Sequence, residues 1–162
     1  TPRSFLSTKV IRLNKQAEEY RYLKDILSKG GRVREQITTS DKSFVPAYPQ
    51  ATLPLKYTLE FERDEPEHIV FEADANQNSY LALLDLYSPG WKTYIDGNET
   101  KIYRGYIGTR FIAVPEGRHK IEFKYRVPYL MPAMIISAVA FIIVFIGMSR
   151  NFLLVRRGKL CN

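Results

Sequence analysis

The chain has 162 residues, the length of one ordinary domain, which argues against a multi-domain enzyme with a large catalytic core. Hydrophobic residues make up 45% and charged residues 25%, a composition that excludes a disordered or collagen-like chain. The formal net charge of +7 is unevenly spread, because all 17 acidic residues precede Pro128 whereas cations continue beyond it. A nucleic-acid-binding protein concentrates its positive charge on a folded surface. This distribution therefore predicts a membrane as the partner and no nucleic acid.

Residues 1–40 predict a small strand–helix–strand unit. A run rich in Val, Ile and Leu at 5–13 indicates a strand, and apolar residues recur at helical spacing over 17–27. A second short strand is expected at 33–38. The next residues, 41–54, hold three prolines and show no clear period, so we expect a linker there.

Residues 55–127 carry the pattern of a β-sandwich. Polar and apolar residues alternate over 55–62 and again over 119–126, as in strands with one buried face. The nearly continuous apolar run at 80–87 predicts a central strand covered on both faces. About seven such segments are separated by turn signals. The predicted fold is mainly β: an antiparallel β-sandwich with the small N-terminal strand–helix–strand unit and one C-terminal transmembrane helix.

Turn motifs separate the predicted strands of the sandwich. Asp96-Gly97 is a strong hairpin signal, because a type I′ turn needs a positive φ at both central positions, and 98–104 is expected to return as the second strand. His119 opens the last strand after a turn glycine, where we expect its ring to bond a nearby backbone carbonyl. We interpret the motif residues as structural; they are Pro89, Gly90, Trp91, Asp96, Gly97, Gly117 and His119.

Residues 128–149 predict a transmembrane helix. The 20 residues from 129 to 148 carry no charge. At about 1.5 Å per residue they would span roughly 30 Å, the thickness of the hydrocarbon core of a bilayer. A soluble amphipathic helix would show a polar stripe, which this run lacks. The small residues that would let another span approach closely are Ala133, Ser137, Ala138 and Ala140.

The tail, residues 150–162, predicts the orientation of this helix. It contains no acidic residue, and its cations are Arg150, Arg156, Arg157 and Lys159. Because positive flanking segments stay in the cytoplasm, we expect a single-pass protein of the cell membrane with a cytoplasmic C-terminus and an extracytoplasmic N-terminal domain. Export of so long a segment needs a signal, and residues 1–30 show none. This indicates a processed product or the carboxyl portion of a longer chain.

Few residues suit catalysis or metal binding. Cys161 is the single cysteine, which excludes an internal disulfide framework and a cysteine-rich zinc site, and the two histidines lie far apart in sequence. We therefore expect no catalytic residue, no metal and no cofactor. The aromatic residues around the predicted hairpin have two interpretations, a sugar-stacking platform or core anchors. These residues are Trp91, Tyr94, Tyr103 and Tyr106.

The segment 87–130 contains Pro-Gly-Trp, Asp-Gly and Pro-Glu-Gly-Arg-His motifs, followed by Glu-Phe-Lys-Tyr-Arg. In these motifs it resembles the carboxyl end of YfhO-like bacterial membrane proteins, which consists of an extracytoplasmic β-domain and a last transmembrane helix. The opening Thr-Pro-Arg-Ser-Phe is similar to a segment that the family places ahead of this domain. The chain departs from the family pattern at Gly105-Tyr106, where the family tends to show Ala-Asn.

This resemblance implies a polytopic, GT-C glycosyltransferase-like protein that decorates envelope polymers from lipid-linked sugars. The family's acidic catalytic residues belong to loops near its amino end, among spans that this sequence does not contain. Our leading hypothesis is a single-span extracytoplasmic β-domain that acts as a non-catalytic scaffolding or binding subunit of a larger membrane protein assembly. Its expected partners are the lipid bilayer and other integral membrane subunits. The alternative is the C-terminal part of a YfhO-like polytopic glycosyltransferase, in which the domain positions an envelope glycan acceptor.

Overall fold

The computed structural model describes residues 3–29, 36–49 and 53–158, and for 149–158 it describes the backbone alone. The chain divides into two compact units, Thr1–Arg126 and Val127–Asn162. The first unit contains helix α1 (Gln16–Ser28), and the second contains helix α2 (Leu130–Gly158). Most of the strand predicted at 33–38 lies outside the described residues.

The described part of the first unit contains eleven strands. They are β1 (Ser4–Ser7), β2 (Val10–Arg12), β3 (Ile37–Thr39), β4 (Tyr57–Glu65), β5 (His68–Ala75), β6 (Ser79–Leu86), β7 (Trp91–Ile95), β8 (Asn98–Thr100), β9 (Tyr103–Gly105), β10 (Thr109–Val114) and β11 (Gly117–Tyr125). Two sheets have the strand orders β1-β6-β10-β9 and β4-β5-β11-β7-β8, all with antiparallel neighbours. Strands β2 and β3, which flank α1, pair in parallel. The predicted antiparallel β fold with an N-terminal strand–helix–strand unit is confirmed, but the single strand predicted at 5–13 forms two strands, of which β1 joins the first large sheet and only β2 belongs to the unit.

The two large sheets pack over a shared apolar core. Because side chains alternate along a strand, each strand contributes every second residue to this core. Strand β6 contributes Leu81 and Leu83, while Phe71 of β5 and Phe123 of β11 reach it from the other sheet. Full burial of such side chains contributes about 1.5–3 kcal/mol each. We call this set the inter-sheet cluster; its buried members are Leu6, Ile69, Phe71, Ala73, Leu81, Leu83, Ile95, Ile112, Val114, Ile121 and Phe123.

The outer face of β6 is covered as well. A second set of buried residues, the outer cluster, consists of Phe5, Ile37, Phe44, Tyr80, Ala82 and Phe111. Ile37 comes from β3, whereas Phe44 comes from the segment predicted as a linker, so the described part of that segment packs on the sheet. The Tyr80 hydroxyl accepts hydrogen bonds from the backbone N–H groups of Ala47 and Tyr48, over 3.0 and 3.2 Å. The prediction of a central strand covered on both faces is confirmed for the first part of β6, as far as Leu83, whereas Leu84 and Leu86 are exposed.

The strand predicted at 98–104 is divided in the structure. Its two parts, β8 and β9, belong to different sheets. The residues between them, Lys101 and Ile102, carry the chain from one sheet to the other, and Ile102 packs against the inter-sheet cluster. Ile102 therefore lies at the point where the chain passes from one sheet to the other. The sequence pattern over 98–104 shows no interruption there, so it predicted a single strand.

The predicted hairpin joins β7 to β8. Ile95 pairs with Asn98, which leaves Asp96 and Gly97 as a two-residue loop. Their φ angles are 50° and 82°, both positive, as a type I′ turn requires. The hairpin prediction is confirmed.

The strand–helix–strand unit contacts the first sheet at Gly105 and Tyr106. A Cβ at Gly105 would lie 3.0 Å from the Thr38 carbonyl oxygen and 3.0 Å from Phe111 Cδ1, so glycine permits a close approach. The Tyr106 N–H donates to the same Thr38 oxygen over 3.0 Å, and the Tyr106 hydroxyl donates to the carbonyl of Gln36. Gly105 and Tyr106 therefore contact β3 and the residue before it.

Helix α2 includes the predicted transmembrane segment. Its stretch Leu130–Met148 is long and apolar enough to cross a membrane, and none of it is buried within the protein. The helix continues beyond the predicted end at 149, because neither Pro nor Gly occurs from 149 to 157. Four cations of the tail were used to predict the orientation of the helix. Lys159 lies outside the described residues, and the other three, Arg150, Arg156 and Arg157, belong to α2.

We expect Gly105→Ala to destabilise the first unit by about 1–3 kcal/mol, because the added Cβ would crowd the backbone oxygen of Thr38. Gly108→Ala is the matched control, since its Cβ would make an ordinary contact of 3.4 Å with the flexible Leu86 side chain. The measurement is chemical unfolding of the full chain in detergent, followed by the fluorescence of Trp91, the single tryptophan. Equal unfolding midpoints for the two variants would contradict the close approach.

Candidate functional site

Trp91 begins β7 and packs against the inter-sheet cluster. The guanidinium carbon of Arg110 lies 3.8 Å from the centroid of the indole ring, and the ring of Tyr125 lies 5.3 Å away. A cation placed this close to an aromatic face is held by the ring quadrupole. One face of the Trp91 ring is therefore occupied by a cation–π contact with Arg110. This is the residue for which the sequence left two interpretations, a sugar-stacking platform or a core anchor.

The other three predicted aromatic residues lie elsewhere in the first unit. Tyr94 alternates along β7 with buried residues, and Lys124 Nζ lies 5.3 Å from its ring centroid. Tyr103 and Tyr106 pack against the outer cluster, with the Tyr103 ring 5.1 Å from that of Phe44. Burial raises the pKa of the Tyr106 hydroxyl. The structure does not bring the four rings together as one platform.

A group of partly exposed ions surrounds the buried Arg110. The Arg110 side chain is 1% exposed, and its Nη2 donates to Asp85 Oδ2 over 3.3 Å. Asp85 also pairs with Arg3, whose Nε lies 3.2 Å from Asp85 Oδ1, and Arg3 in turn pairs with Asp64. Burial lowers the pKa of Arg110 to about 10, so its guanidinium stays charged at neutral pH. We call Arg3, Asp64, Asp85, Trp91 and Arg110 the arginine cluster.

Local strand geometry turns Arg110 inward. Ile112 belongs to the inter-sheet cluster, and Arg110 lies two residues before it, on the same face of β10. The register between β10 and β6 shifts at Thr109 and Arg110, an irregularity of the kind that redirects side chains. The sequence prediction missed the arginine cluster, although the alternation along 110–114 was a signal that Arg110 shares a face with Ile112.

A cavity of about 280 Å³ is lined by the arginine cluster together with Glu65, Ile69 and Leu86, among others. Three acids and two cations line it, but the acids have partners. Asp64 and Asp85 pair with the arginines, as described, and Glu65 Oε1 lies 3.6 Å from Arg63 Nε. The side chains around the cavity thus nearly balance in charge.

His119 and Asp96 form an ion pair at the β7–β8 turn. His119 Nδ1 lies 2.6 Å from Asp96 Oδ2, and Nε2 lies 3.1 Å from the carbonyl oxygen of Glu116. Since both partners are acceptors, the arrangement favours the ring with both nitrogens protonated. The hydrogen bond with Asp96 raises the pKa of His119, and the same bond lowers the pKa of Asp96. The expected carbonyl contact of His119 is confirmed, and the ring links the turn to β11.

A polar cleft of about 1020 Å³ lies between the start of α1, the 40–43 segment and the 101–107 segment. Its charged lining residues are Lys15, Glu19, Asp41, Lys42, Lys101 and Arg104, and Tyr87 adds an aromatic ring. The buried Glu19 carboxylate accepts hydrogen bonds from Thr38 Oγ1, over 2.9 Å, and from Ser40 Oγ, over 2.8 Å. Cations outnumber acids, so the cleft suits a polar or anionic ligand. The sequence prediction missed it, because its walls come from distant segments.

Metal ligands are not grouped in the part of the chain that the structure describes. Within those residues, no set of three or more His, Cys, Asp or Glu side chains is arranged to hold an ion. His119 uses both ring nitrogens in the contacts described above, and His68 lies between Arg63 and Glu122, at 3.0 and 3.2 Å. The described histidines therefore act in polar networks of the sheet surface.

The fold and the apolar helix define a class of membrane protein, in which a β-sandwich unit precedes a helix of membrane-spanning length. A family model described as bacterial membrane protein YfhO matches residues 45–137, more than half of the chain. The chain therefore belongs to this family, which confirms the resemblance seen at 87–130. The match includes β4 to β11 and the first turns of α2, whereas the strand–helix–strand unit and Arg3 lie outside it. No curated protein and no solved structure matches the chain.

We expect Asp96→Asn to lower the pKa of His119 toward its ordinary value, because asparagine suits the turn but lacks the charge that stabilises the imidazolium. The measurement is an NMR pH titration of the full chain in detergent. His68 is the other histidine, so His68→Gln assigns the signals and serves as the control. A His119 titration that is unchanged in the Asp96 variant would contradict the pairing.

The same pair gives a pH dependence of stability. Because the folded-state pKa of His119 is raised, its contribution is fully present below about pH 6.5 and is lost as the pH rises through the raised value. The loss should stay below about 1 kcal/mol, since the Asp96 side chain is 49% exposed and water screens the pair.

Proposed function

We propose that this chain is a membrane-anchored, extracytoplasmic β-domain that serves as a non-catalytic binding or scaffolding subunit of a larger membrane protein assembly. The observation that carries the proposal is the continuity of the family match, which runs from the sandwich strands into α2. Helix α2 continues past the end of the match, and its stretch Leu130–Met148 is long and apolar enough to span a bilayer. Such a domain would hold a partner or ligand at the membrane while other subunits perform the chemistry.

The charge distribution supports an extracytoplasmic position for the β-domain. The cations that follow the apolar segment, Arg150, Arg156, Arg157 and Lys159, have no acidic residue among them. Short positive flanks are retained in the cytoplasm during insertion. The sandwich then belongs on the opposite side, in the periplasm or outside the cell membrane.

The small residues of α2 support contact with other spans. Ala133, Ser137 and Ala140 are spaced by four and three residues, so they share one face of the helix, whereas Ala138 lies about 100° further round from Ser137. All four are exposed within this chain. Small side chains let two helix backbones approach closely, which drives association in lipid.

The polar cleft supports a second candidate, the C-terminal part of a polytopic glycosyltransferase that positions an envelope glycan acceptor. A sugar needs hydroxyl partners and an aromatic face, and the cleft lining offers Asp41, Ser43 and Tyr87. In this candidate the catalytic residues belong to spans encoded upstream. A reading frame with many such spans would favour it over a single-span subunit.

We expect Cys161, the single cysteine, to resist a membrane-impermeant maleimide in intact cells and to react after permeabilisation, because the tail is cytoplasmic. The reciprocal variant combines Cys161→Ser with Asn98→Cys, at an exposed residue of the β7–β8 hairpin, and should react without permeabilisation. Labelling in permeabilised cells controls for thiol reactivity. The opposite pattern would reverse the proposed orientation.

We expect the double variant Ala133→Leu/Ser137→Leu to reduce the co-purification of integral membrane subunits from native membranes by at least about fivefold, because the added side chains block close helix approach. Val139→Leu enlarges a residue that lies about 120° round α2 from Ala133, off this face, and is the matched control. Recovery is measured by quantitative mass spectrometry after solubilisation in a mild detergent. Equal recovery with both variants would argue against assembly through this face.

A further inference from the structure

Strand β4 lies at an edge of the five-stranded sheet, and in the described part of the chain its only neighbouring strand is β5. It has nine residues, whereas the other edge strands of the two large sheets, β1, β8 and β9, have four, three and three. A long edge is a template for another strand, because its outward backbone groups have no strand to bond. The length of β4 therefore singles it out as a surface for strand addition.

The backbone of β4 alternates between facing β5 and facing outward. Lys56 faces β5, because its carbonyl oxygen accepts the Asn76 N–H over 3.1 Å and its own N–H donates to Asn76 Oδ1 over 2.8 Å. Since this direction alternates along a strand, the even-numbered residues of 56–60 face β5 and the odd-numbered residues of 55–61 face outward. The outward N–H and C=O groups of 55–61 are therefore the ones that can bond a new strand.

The side chains of the same odd-numbered residues form an apolar row that the chain covers incompletely. Leu55 and Leu59 are half-buried and pack against the inter-sheet cluster. Tyr57 and Phe61 lie on the same side of the strand, yet they are 42% and 41% exposed. An added strand would cover this row and remove apolar surface from water.

The second half of β4 limits the pairing to 55–61. All four residues of 62–65 are charged, and the register against β5 shifts between Phe61 and Arg63. Charges and bulges of this kind protect an edge strand from pairing with another chain. The first half has no such irregularity.

The charges on 55–61 select a second copy of the chain as the partner. Lys56 and Glu60 are the only charged residues of this segment, and neither forms an ion pair among the described residues. They lie two residues before and two residues after Thr58. If two copies pair antiparallel with Thr58 opposite Thr58, Lys56 of each copy faces Glu60 of the other. Opposite charges and two threonines facing each other both stabilise a strand pair.

Neighbouring registers are less favourable. A centre at Leu59 would set Lys56 against Glu62, whose carboxylate already pairs with Lys120 at 2.6 Å. A centre at Glu60 would place two carboxylates directly opposite each other, which destabilises a strand pair. The centre at Thr58 is the register that gives each unpaired charge of the segment an opposite charge.

We propose that β4 pairs with β4 of a second copy of this chain, antiparallel and centred on Thr58, so that the two five-stranded sheets become one continuous sheet. On the apolar side, Tyr57 of each copy then meets Leu59 of the other. Leu55 likewise meets Phe61. Such a pairing uses the same surface on both copies and closes at a dimer. The inference goes beyond the proposed function, which rests on α2 and the family match.

The first test is disulfide cross-linking of Thr58→Cys/Cys161→Ser, as the full chain in maltoside detergent. Because residue 58 faces β5 with its backbone, its two copies form a non-hydrogen-bonded pair with Cα atoms about 4.5 Å apart, a distance that a disulfide spans. Asn98→Cys/Cys161→Ser is the matched control, since Asn98 is exposed on β8 at the other edge of the same sheet. With copper phenanthroline as oxidant, we expect the residue 58 dimer to form at least about tenfold faster than the control.

The second test exchanges the charges that face each other between the copies. Lys56→Glu sets two carboxylates opposite each other, so we expect the dissociation constant of the dimer to rise at least about tenfold. Adding Glu60→Lys restores opposite charges and should return the constant to within about threefold of the original. Residues 56 and 60 of one copy lie roughly 13 Å apart along the strand, so this restoration arises between copies. The measurement is sedimentation equilibrium in a density-matched detergent.

Lys24→Glu makes the same charge change on the exposed surface of α1 and should leave the dissociation constant unchanged. Near-ultraviolet circular dichroism verifies that each variant is folded. A chain that sediments as a monomer at every concentration would overturn the inference, as would equal cross-linking of the two cysteine variants or a double variant that dimerises as weakly as Lys56→Glu.

Cross-linking in native membranes examines other occupants of the edge. A residue 58 cysteine that links only to a different protein would assign β4 to that partner and overturn the pairing of two copies. The proposed function can fail separately, because its test changes Ala133 and Ser137 in α2 and measures the recovery of other subunits. Loss of the β4 pairing would leave that recovery unchanged.

Discussion

The burial of both faces of β6, from its start to Leu83, is the constraint on which the first unit depends. Leu81 and Leu83 point into the inter-sheet cluster, while Tyr80 and Ala82 point into the outer cluster. A strand with apolar side chains on both faces needs a layer on each side, since leaving either face in water forfeits about 25 cal/mol per Å² of apolar surface. The second sheet supplies one layer. The strand–helix–strand unit and the 40–49 segment supply the other, so the amino-terminal part is integral to the sandwich.

Local patterns predicted those elements whose formation depends on near neighbours. The alternation at 119–126 and the continuous apolar run at 80–87 predicted β11 and the doubly covered β6. Asp96-Gly97 predicted its hairpin, because the turn type follows from two residues. Where contacts between residues far apart in sequence determine the structure, the prediction from sequence was less complete. Phe44 lies in a proline-rich segment without periodicity, yet it is buried by β-strands from elsewhere, and Ile102 lies where an apparently continuous strand changes sheets.

The candidate sites belong to this second group. The arginine cluster brings together β10 (Arg110), β6 (Asp85), β4 (Asp64) and the residue before β1 (Arg3), and no sequence spacing connects them. One residue of the arginine cluster could have been predicted from the sequence. The alternation along β10 places Arg110 on the same face as Ile112, and a charged residue on a core-facing side indicates a buried ion. The partners that make this burial tolerable depend on the register of β10 against β6, and register is a property of the assembled sheet.

Gly105 and the layer outside the family match are linked physically. Gly105 lies within the matched residues, but the atom that its missing Cβ would crowd belongs to Thr38 in β3, which precedes the match. Alanine at this position would push β3 away from β9 and β10, and the Tyr106 N–H could then no longer reach the Thr38 carbonyl. The close packing of the strand–helix–strand unit on the first sheet therefore depends on glycine at position 105. The polar cleft depends on it, since one wall of the cleft comes from that unit and the other from the 101–107 segment.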